Sequence, residues 1–228
     1  MKQKWFFWIR ILIFIGLGIA LLAYGLYSMQ LREPLNYTEH LDEVAVTVDG
    51  REITLGDMYF YVLYEEQVVE SAAEVYDSEQ TRHFWNIHTN QSFVQEEAKD
   101  NIMGMAVHDA IFYEMACRQQ MVLSSEEKAT LEHRRSDFWS DLYDIQKEEL
   151  PVSYDKINRT MQHIALAQKA QAKLVEETEG VTYAGYDWQG KDYQRLMEAH
   201  EVKVNKKIWK RVLIGNVSLE HDTLITID

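Results

Sequence analysis

The chain has 228 residues, of which 37 are acidic and 23 basic, and its formal net charge is −14 at pH 7. This balance excludes a nucleic-acid partner, because phosphate binding requires clustered Lys and Arg. The single cysteine, Cys117, excludes an internal disulfide. Because metal-ligand spacings, nucleotide-binding motifs and nucleophile motifs are also missing, the sequence predicts no metal site and no cofactor.

The N-terminal segment is the most apolar part of the chain. Residues 11–31 contain no charged side chain, and as a helix they would extend about 31 Å, close to the thickness of a bilayer core. Basic residues precede this run and every acidic residue follows it, which favours a cytoplasmic N-terminus. We therefore expect a cytoplasmic segment over 1–10, a transmembrane signal anchor over 11–31, a tether over 32–42 and an extracytoplasmic domain over 43–228. This is the arrangement of a single-pass bacterial envelope protein; the alternative is a cleaved secretory signal.

The extracytoplasmic domain is predicted to begin with a β-hairpin. The strands Val44–Val48 and 51–53 flank Asp49-Gly50, a dipeptide typical of a type I′ turn. Thr54 then begins a helix that extends to about residue 76, since the Asp three residues later completes a capping pattern. Residues 77–92 are predicted to be an irregular connection.

Helical periodicity predicts three further long helices, which begin near residue 93, after Ser124 and after Ser153. Ser124 and Glu127 form a capping box at the start of the second of these helices. That helix is expected to extend to Leu150, because a proline follows.

The last part of the chain changes from helical to alternating periodicity. A short helix is predicted around residues 193–200, and strands are predicted at 202–204, 212–214, 217–219 and 224–227. Strands therefore lie at both ends of the domain, with helices between them. The predicted fold class is α+β and mostly helical, with an N-terminal transmembrane helix and a small sheet formed by both ends of the domain.

Three segments, in this order and spacing, resemble SurA/PrsA-type extracytoplasmic foldases. VAVTVDGREIT (44–54) is similar to the family's opening pattern V-x-V-N-G-x-x-I-T, with Asp49 in place of the usual Asn. AIFYEMACRQQMVLSSEEKATLE (110–132) resembles the pattern A-x-x-x-G-I-x-L-S-x-E-E, with Gln120-Met121 in place of Gly-Ile. YDWQGKDYQRLMEAHEVKVNKKIWKRV (186–212) resembles the family's closing helix and strand.

The resemblance implies a SurA/PrsA-like chaperone domain whose partners are unfolded or secreted polypeptides. Family members often carry a parvulin prolyl isomerase domain, but the short connection between Leu150 and Ser153 leaves no room for one. The run from His163 is similar to the start of a parvulin domain, yet it lies inside a predicted helix and lacks the second histidine. We therefore expect binding without catalysis. The alternatives are a divergent prolyl isomerase, or a scaffold subunit of a membrane-associated complex whose groove one partner fills permanently.

Aromatic and methionine side chains are the candidates for client binding, because unfolded chains are recognised by adaptable apolar surface. At their spacings most of these side chains would also fit a core. The candidates are Phe84, Trp85, Met103, Phe138, Trp139 and Tyr143.

Two charged clusters are interpreted as exposed surface. Asp137, Asp141 and Asp144 lie on one predicted helical face and indicate a solvated acidic surface rather than a calcium loop. A basic cluster in the tail indicates an exposed surface, with contact to acidic clients or lipid headgroups as the alternative. It comprises Lys203, Lys206, Lys207, Lys210 and Arg211.

Overall fold

The structure is a computed structural model that describes residues 16–25, 33–89, 92–148 and 150–219. The chain divides into two units, Met1–Leu35 and Asn36–Asp228.

In the first unit, residues 16–25 are helical. A helix of this length extends roughly 15 Å, about half of a bilayer core. Across the described ranges, no helix combines the length and the apolar character needed to cross a membrane. This finding contradicts the predicted transmembrane helix at 11–31 and the single-pass location that depended on it. The remaining parts of the predicted span, 11–15 and 26–31, lie outside the described residues.

Within its described residues the second unit is mostly helical and carries a three-stranded antiparallel sheet with strand order β2-β1-β3. The elements in chain order are β1 (Val44–Val48), β2 (Arg51–Thr54), α1 (Leu55–Tyr76), α2 (Thr81–Trp85), α3 (Val94–Arg118), α4 (Ser125–Asp141), α5 (Asp144–Glu148), α6 (Tyr154–Glu177), α7 (Lys191–Met197), β3 (Val202–Val204) and α8 (Lys206–Trp209).

The sheet joins the beginning of this unit to its tail. Asp49 and Gly50 adopt the positive φ angles of 48° and 84° that a type I′ turn requires, so β1 and β2 form the predicted hairpin. On its other edge β1 pairs with β3, with Val46 opposite Val204. The turn is tied to the tail as well, because the Asp49 carboxylate lies 2.6 Å from His200 Nδ1.

Two capping boxes fix the starts of α1 and α4, as the sequence predicts. The Asp57 amide donates to Thr54 Oγ1, and the Thr54 amide donates back to the Asp57 carboxylate at 3.0 Å. Ser124 and Glu127 make the same reciprocal pair at 3.2 and 2.6 Å. Caps of this kind stabilise a helix end by about 1 kcal/mol each.

The core lies where α1, α3 and α6 pack against one another and against the sheet. Its largest side chains are almost completely shielded from solvent, and they include Leu55, Met58, Tyr59, Leu63, Ile102, Ile111, Phe112 and Ile157.

Three elements differ from the sequence prediction. A short helix, α2, lies within the segment predicted as irregular. The predicted long helix after Ser124 ends at Asp141, because Leu142 adopts an extended ψ of 142°, and α5 begins two residues later. In the tail, α8 and turns follow β3, and no described residue between 205 and 219 is in a strand. The predicted strand at 224–227 lies outside the described residues.

The predicted strand at 217–219 does not form, and polar groups of this segment are hydrogen-bonded to α1 instead. Glu66 of α1 is fully buried, and its Oε1 accepts hydrogen bonds from the amides of Gly215 at 2.9 Å and Val217 at 3.1 Å. Its second oxygen accepts from the Ser218 hydroxyl. Backbone donors that would pair in a sheet are thus satisfied by one carboxylate.

Candidate functional site

An open groove of about 850 Å³ crosses the helical face of the second unit. Its walls come from α1, α3, α4 and α6, together with residues 183–190, which we call the groove loop. Most of the surface that lines it is apolar. The large apolar and aromatic lining residues include Phe60, Tyr64, Met105, Leu131, Phe138, Met161, Ile164 and Trp188.

The α1 wall is a row of side chains one helical turn apart. Phe60, Tyr64 and Gln67 follow a 0, 4, 7 spacing, which places them on one face of the helix. The rings of Phe60 and Tyr64 are stacked with their centroids 6.3 Å apart. Tyr64 keeps 42% of its surface exposed, so this row presents aromatic surface to any occupant.

The groove loop lies close against α3. A Cβ atom at Gly104 would overlap the Trp188 ring, so the absence of a side chain there lets the indole pack directly on the helix. Gln171 of α6 fixes the loop from below, because its Nε2 donates to the Tyr183 carbonyl at 3.1 Å and to Asp187 Oδ1 at 3.3 Å. Only 1% of Gln171 is exposed, so these two hydrogen bonds are shielded from water and fix the position of the loop.

A hydrogen-bonded cluster occupies the groove floor. Asp109 lies 2.9 Å from His108 Nδ1 through one oxygen and accepts from the Tyr61 hydroxyl at 3.0 Å through the other. His108 Nε2 lies 2.9 Å from the Tyr186 carbonyl oxygen, to which it must donate. Burial and the neighbouring Asp109 carboxylate raise the pKa of Tyr61 well above its ordinary value, so its hydroxyl stays a donor. These polar atoms are engaged with each other and position the groove loop.

The rim of the groove is charged. Asp137 and Asp141 of α4 and Asp187 of the groove loop are exposed. Arg134 lies one turn before Asp137 on the same face of α4 and donates to Gln168 Oε1. Of the predicted acidic face, Asp137 and Asp141 therefore lie on the groove rim, whereas Asp144 begins α5.

The six predicted client-binding residues occupy different environments, and one of them, Phe138, lines the groove. Trp85 is 3% exposed and donates to Glu70 Oε2 at 2.9 Å. Phe84 is half-buried beside Tyr76, with ring centroids 5.5 Å apart. Met103 is half-buried on α3.

The other two predicted residues are held by polar contacts outside the groove. Trp139 packs on Tyr154 with centroids 4.5 Å apart and donates to Asn158 Oδ1 at 3.0 Å. Tyr143 lines a separate cleft between α1 and α5, where its hydroxyl donates to Glu74 Oε1 at 3.0 Å.

Most of the groove lining, including the aromatic row of α1, is not among the residues predicted from the sequence. A signal for that row was present: Phe60, Tyr64 and Val68 form a second apolar stripe beside the core stripe of the same helix. A helix that is apolar on more than one face has an apolar surface left over after the core is filled.

Two other candidate sites can be placed. His163 lies within α6 and stacks on Tyr113 with centroids 4.0 Å apart. Burial, Arg51 and Arg159 lower its pKa.

In the described part of the chain, no three His, Cys, Asp or Glu side chains are grouped so that they could hold a metal ion. The basic cluster lies on β3, α8 and the turn after α8, and its four lysines are exposed.

Comparison of the chain with known protein families, with curated proteins and with solved structures finds no match. The resemblance to SurA/PrsA-type foldases therefore rests on the three segments quoted above, and the function is argued from the groove.

Proposed function

We propose that this chain binds unfolded polypeptide segments in the groove, reversibly and without catalysis, as a chaperone-like protein. The observation that carries the proposal is an open apolar groove of about 850 Å³ whose aromatic wall is only partly covered. Tyr64 illustrates this, with 42% of its surface exposed on a well-formed helix. Exposed apolar grooves of this kind mark binding sites in soluble domains.

The groove lining suits clients of varied sequence. Met105 and Met161 contribute unbranched, polarisable side chains that can adjust to different occupants. Tyr64 and Trp188 add rigid aromatic area, which contributes contact surface at low entropic cost. Because the floor cluster of His108 and Asp109 is satisfied internally, few directional groups remain to select one sequence. Such binding is expected to be weak, with a dissociation constant on the order of micromolar.

The test is suppression of aggregation by the purified full chain, with an unrelated unfolded protein as the client. The proposal predicts that equimolar to several-fold excess chain lowers light scattering of the client, and that the effect is reversible on dilution. No suppression at several-fold excess would contradict it. If a single partner is also recovered from cells at fixed stoichiometry, the groove is instead a permanent interface and the chain is a scaffold subunit.

A further inference from the structure

The rim of the groove carries excess negative charge. Asp137, Asp141 and Asp187 are exposed there, and among the described residues no ion pair joins any of the three to Lys, Arg or His. Arg134 is the one Lys or Arg side chain among the described lining residues, and Gln168 already accepts from it. Three carboxylates therefore face one guanidinium.

The groove floor does not offset this charge. His108 lies between the Tyr186 carbonyl oxygen and the Asp109 carboxylate, each 2.9 Å from one ring nitrogen, so the floor presents no unpaired cation to the rim. The Tyr61 hydroxyl adds no charge, because its pKa is raised well above 10.0 by burial. The excess negative charge at the rim can therefore attract the basic groups of an occupant.

We infer that the groove prefers polypeptide segments in which Lys or Arg alternates with aromatic or large aliphatic residues. This inference rests on the proposed function and specifies the class of client. The apolar side chains of such a segment would contact the row formed by Phe60 and Tyr64. The cations would reach Asp137 and Asp141, which follow each other by one turn along α4.

Basic side chains also suit the aromatic wall itself. The alkyl stems of Lys and Arg pack along apolar surface while their charged ends stay hydrated. A cation over an aromatic ring gains further electrostatic attraction, and Tyr64 and Trp188 offer such rings near the rim carboxylates. Acidic segments would instead meet like charge in a chain whose net charge is −14.

The test compares three fluorescent peptides with identical aromatic spacing and with Lys, Gln or Glu at the alternate positions. Binding to the full chain is measured by anisotropy at low salt. Since exposed ion pairs are individually weak, we expect the Lys peptide to bind about three- to tenfold more tightly than the Gln peptide, and the Glu peptide most weakly. The difference should shrink at high salt, where exposed charges are screened.

The matched variants separate the rim from the net charge. Asp137→Asn with Asp141→Asn should bring the Lys peptide to within about twofold of the Gln peptide. Glu176→Gln with Glu179→Gln removes the same charge from exposed positions outside the groove lining and should preserve the preference. Equal binding of the three peptides would overturn the inference, as would an equal loss of the preference for the Lys peptide in both double variants. Either result leaves the proposed function standing. If none of the peptides binds, both the inference and the proposed function are contradicted. A dimer of the chain that buries the groove would contradict both as well.

Discussion

Phe60 of α1 and Phe138 of α4 place their ring centroids 4.9 Å apart, with the planes inclined at 37°. Aromatic pairs at this separation attract each other beyond the area that they bury. Both residues line the groove, so the pair connects the α1 wall to the α4 wall. Tyr64 lies one turn beyond Phe60 on the same face and is more exposed.

Truncation of the exposed tyrosine tests the aromatic wall. We expect Tyr64→Ala to weaken binding of an unfolded polypeptide about three- to tenfold, because an exposed ring that an occupant covers contributes on the order of 1 kcal/mol. Tyr76→Ala is the control: it removes a 65% exposed tyrosine from the same helix but outside the groove lining. Anisotropy titrations of both variants against wild type decide the matter, and equal weakening by both would contradict the assignment.

Gly104 sets the position of one groove wall. Gly104→Ala would place a Cβ closer to the Trp188 ring than van der Waals contact allows, so the half-buried indole must shift and the groove must change shape. We predict reduced polypeptide affinity with little loss of stability.

A double-mutant cycle with Trp188→Ala measures the coupling between the two positions. In the Trp188→Ala background, Gly104→Ala should have no further effect on affinity. An additive loss would mean that the two residues act independently.

Glu66 should make stability depend on pH. Burial raises its pKa from 4.5 to about 7, although three donors from the tail partly oppose the shift. The folded state therefore holds this proton more tightly than the unfolded state. Its contribution to stability is complete below about pH 4.5 and is lost as pH rises through about 7. The loss is on the order of 3 kcal/mol.

Urea unfolding at several pH values between 4.5 and 8.5 checks this prediction. Glu66→Gln should flatten most of the decline in the free energy of unfolding, while Glu176→Gln, an exposed control, should leave it unchanged. Glu65, whose pKa burial also raises, should supply a residual slope of the same sign. An unchanged slope in Glu66→Gln would show that this carboxyl is not the titrating group.

Gly215 fixes the tail against α2. Its φ is +90°, and a Cβ atom there would lie 2.7 Å from the Trp85 ring, which is buried and bonded to Glu70. We expect Gly215→Ala to lower the free energy of unfolding by about 2–4 kcal/mol. Gly50→Ala is the matched control, because Gly50 has a φ of +84° but open space around it. It should cost about 1 kcal/mol, and equal losses in the two variants would rule out the steric contact.

We expect that the chain does not catalyse prolyl isomerisation. A protease-coupled assay on a proline-containing tetrapeptide should give the uncatalysed rate with the full chain and with His163→Ala. A rate enhancement that His163→Ala abolishes would identify the chain as a divergent isomerase.

The sequence was most informative where local chemistry decides the structure. Thr54 with Asp57, and Ser124 with Glu127, place the helix starts because each pair satisfies amides within four residues. The Asp49-Gly50 turn is local in the same sense. These features need no knowledge of the rest of the chain.

Features that depend on distant partners could not be predicted in this way. The residues around 212–219 have strand periodicity, but the carboxylate of Glu66, about 150 positions earlier, accepts hydrogen bonds from the amides of Gly215 and Val217. The groove depends in the same way on packing, since Phe60 and Phe138 come from separate helices. Sequence alone does not distinguish Trp85 from Phe138. Both are buried, but Phe138 lines the groove whereas Trp85 lies outside it and donates to Glu70.

The most direct test of the groove as a polypeptide-binding site is photo-crosslinking from a single position. A photoreactive amino acid replaces Tyr64 in the groove or, as a control, Val122, which is 76% exposed and lies outside the groove lining. Each full-length variant is irradiated with a permanently unfolded client and with the same client in its folded form. If the groove binds unfolded polypeptide, position 64 should crosslink to the unfolded client and not to the folded one, and position 122 should give few crosslinks to either. Equal crosslinking from the two positions, or none from position 64, would contradict binding in the groove.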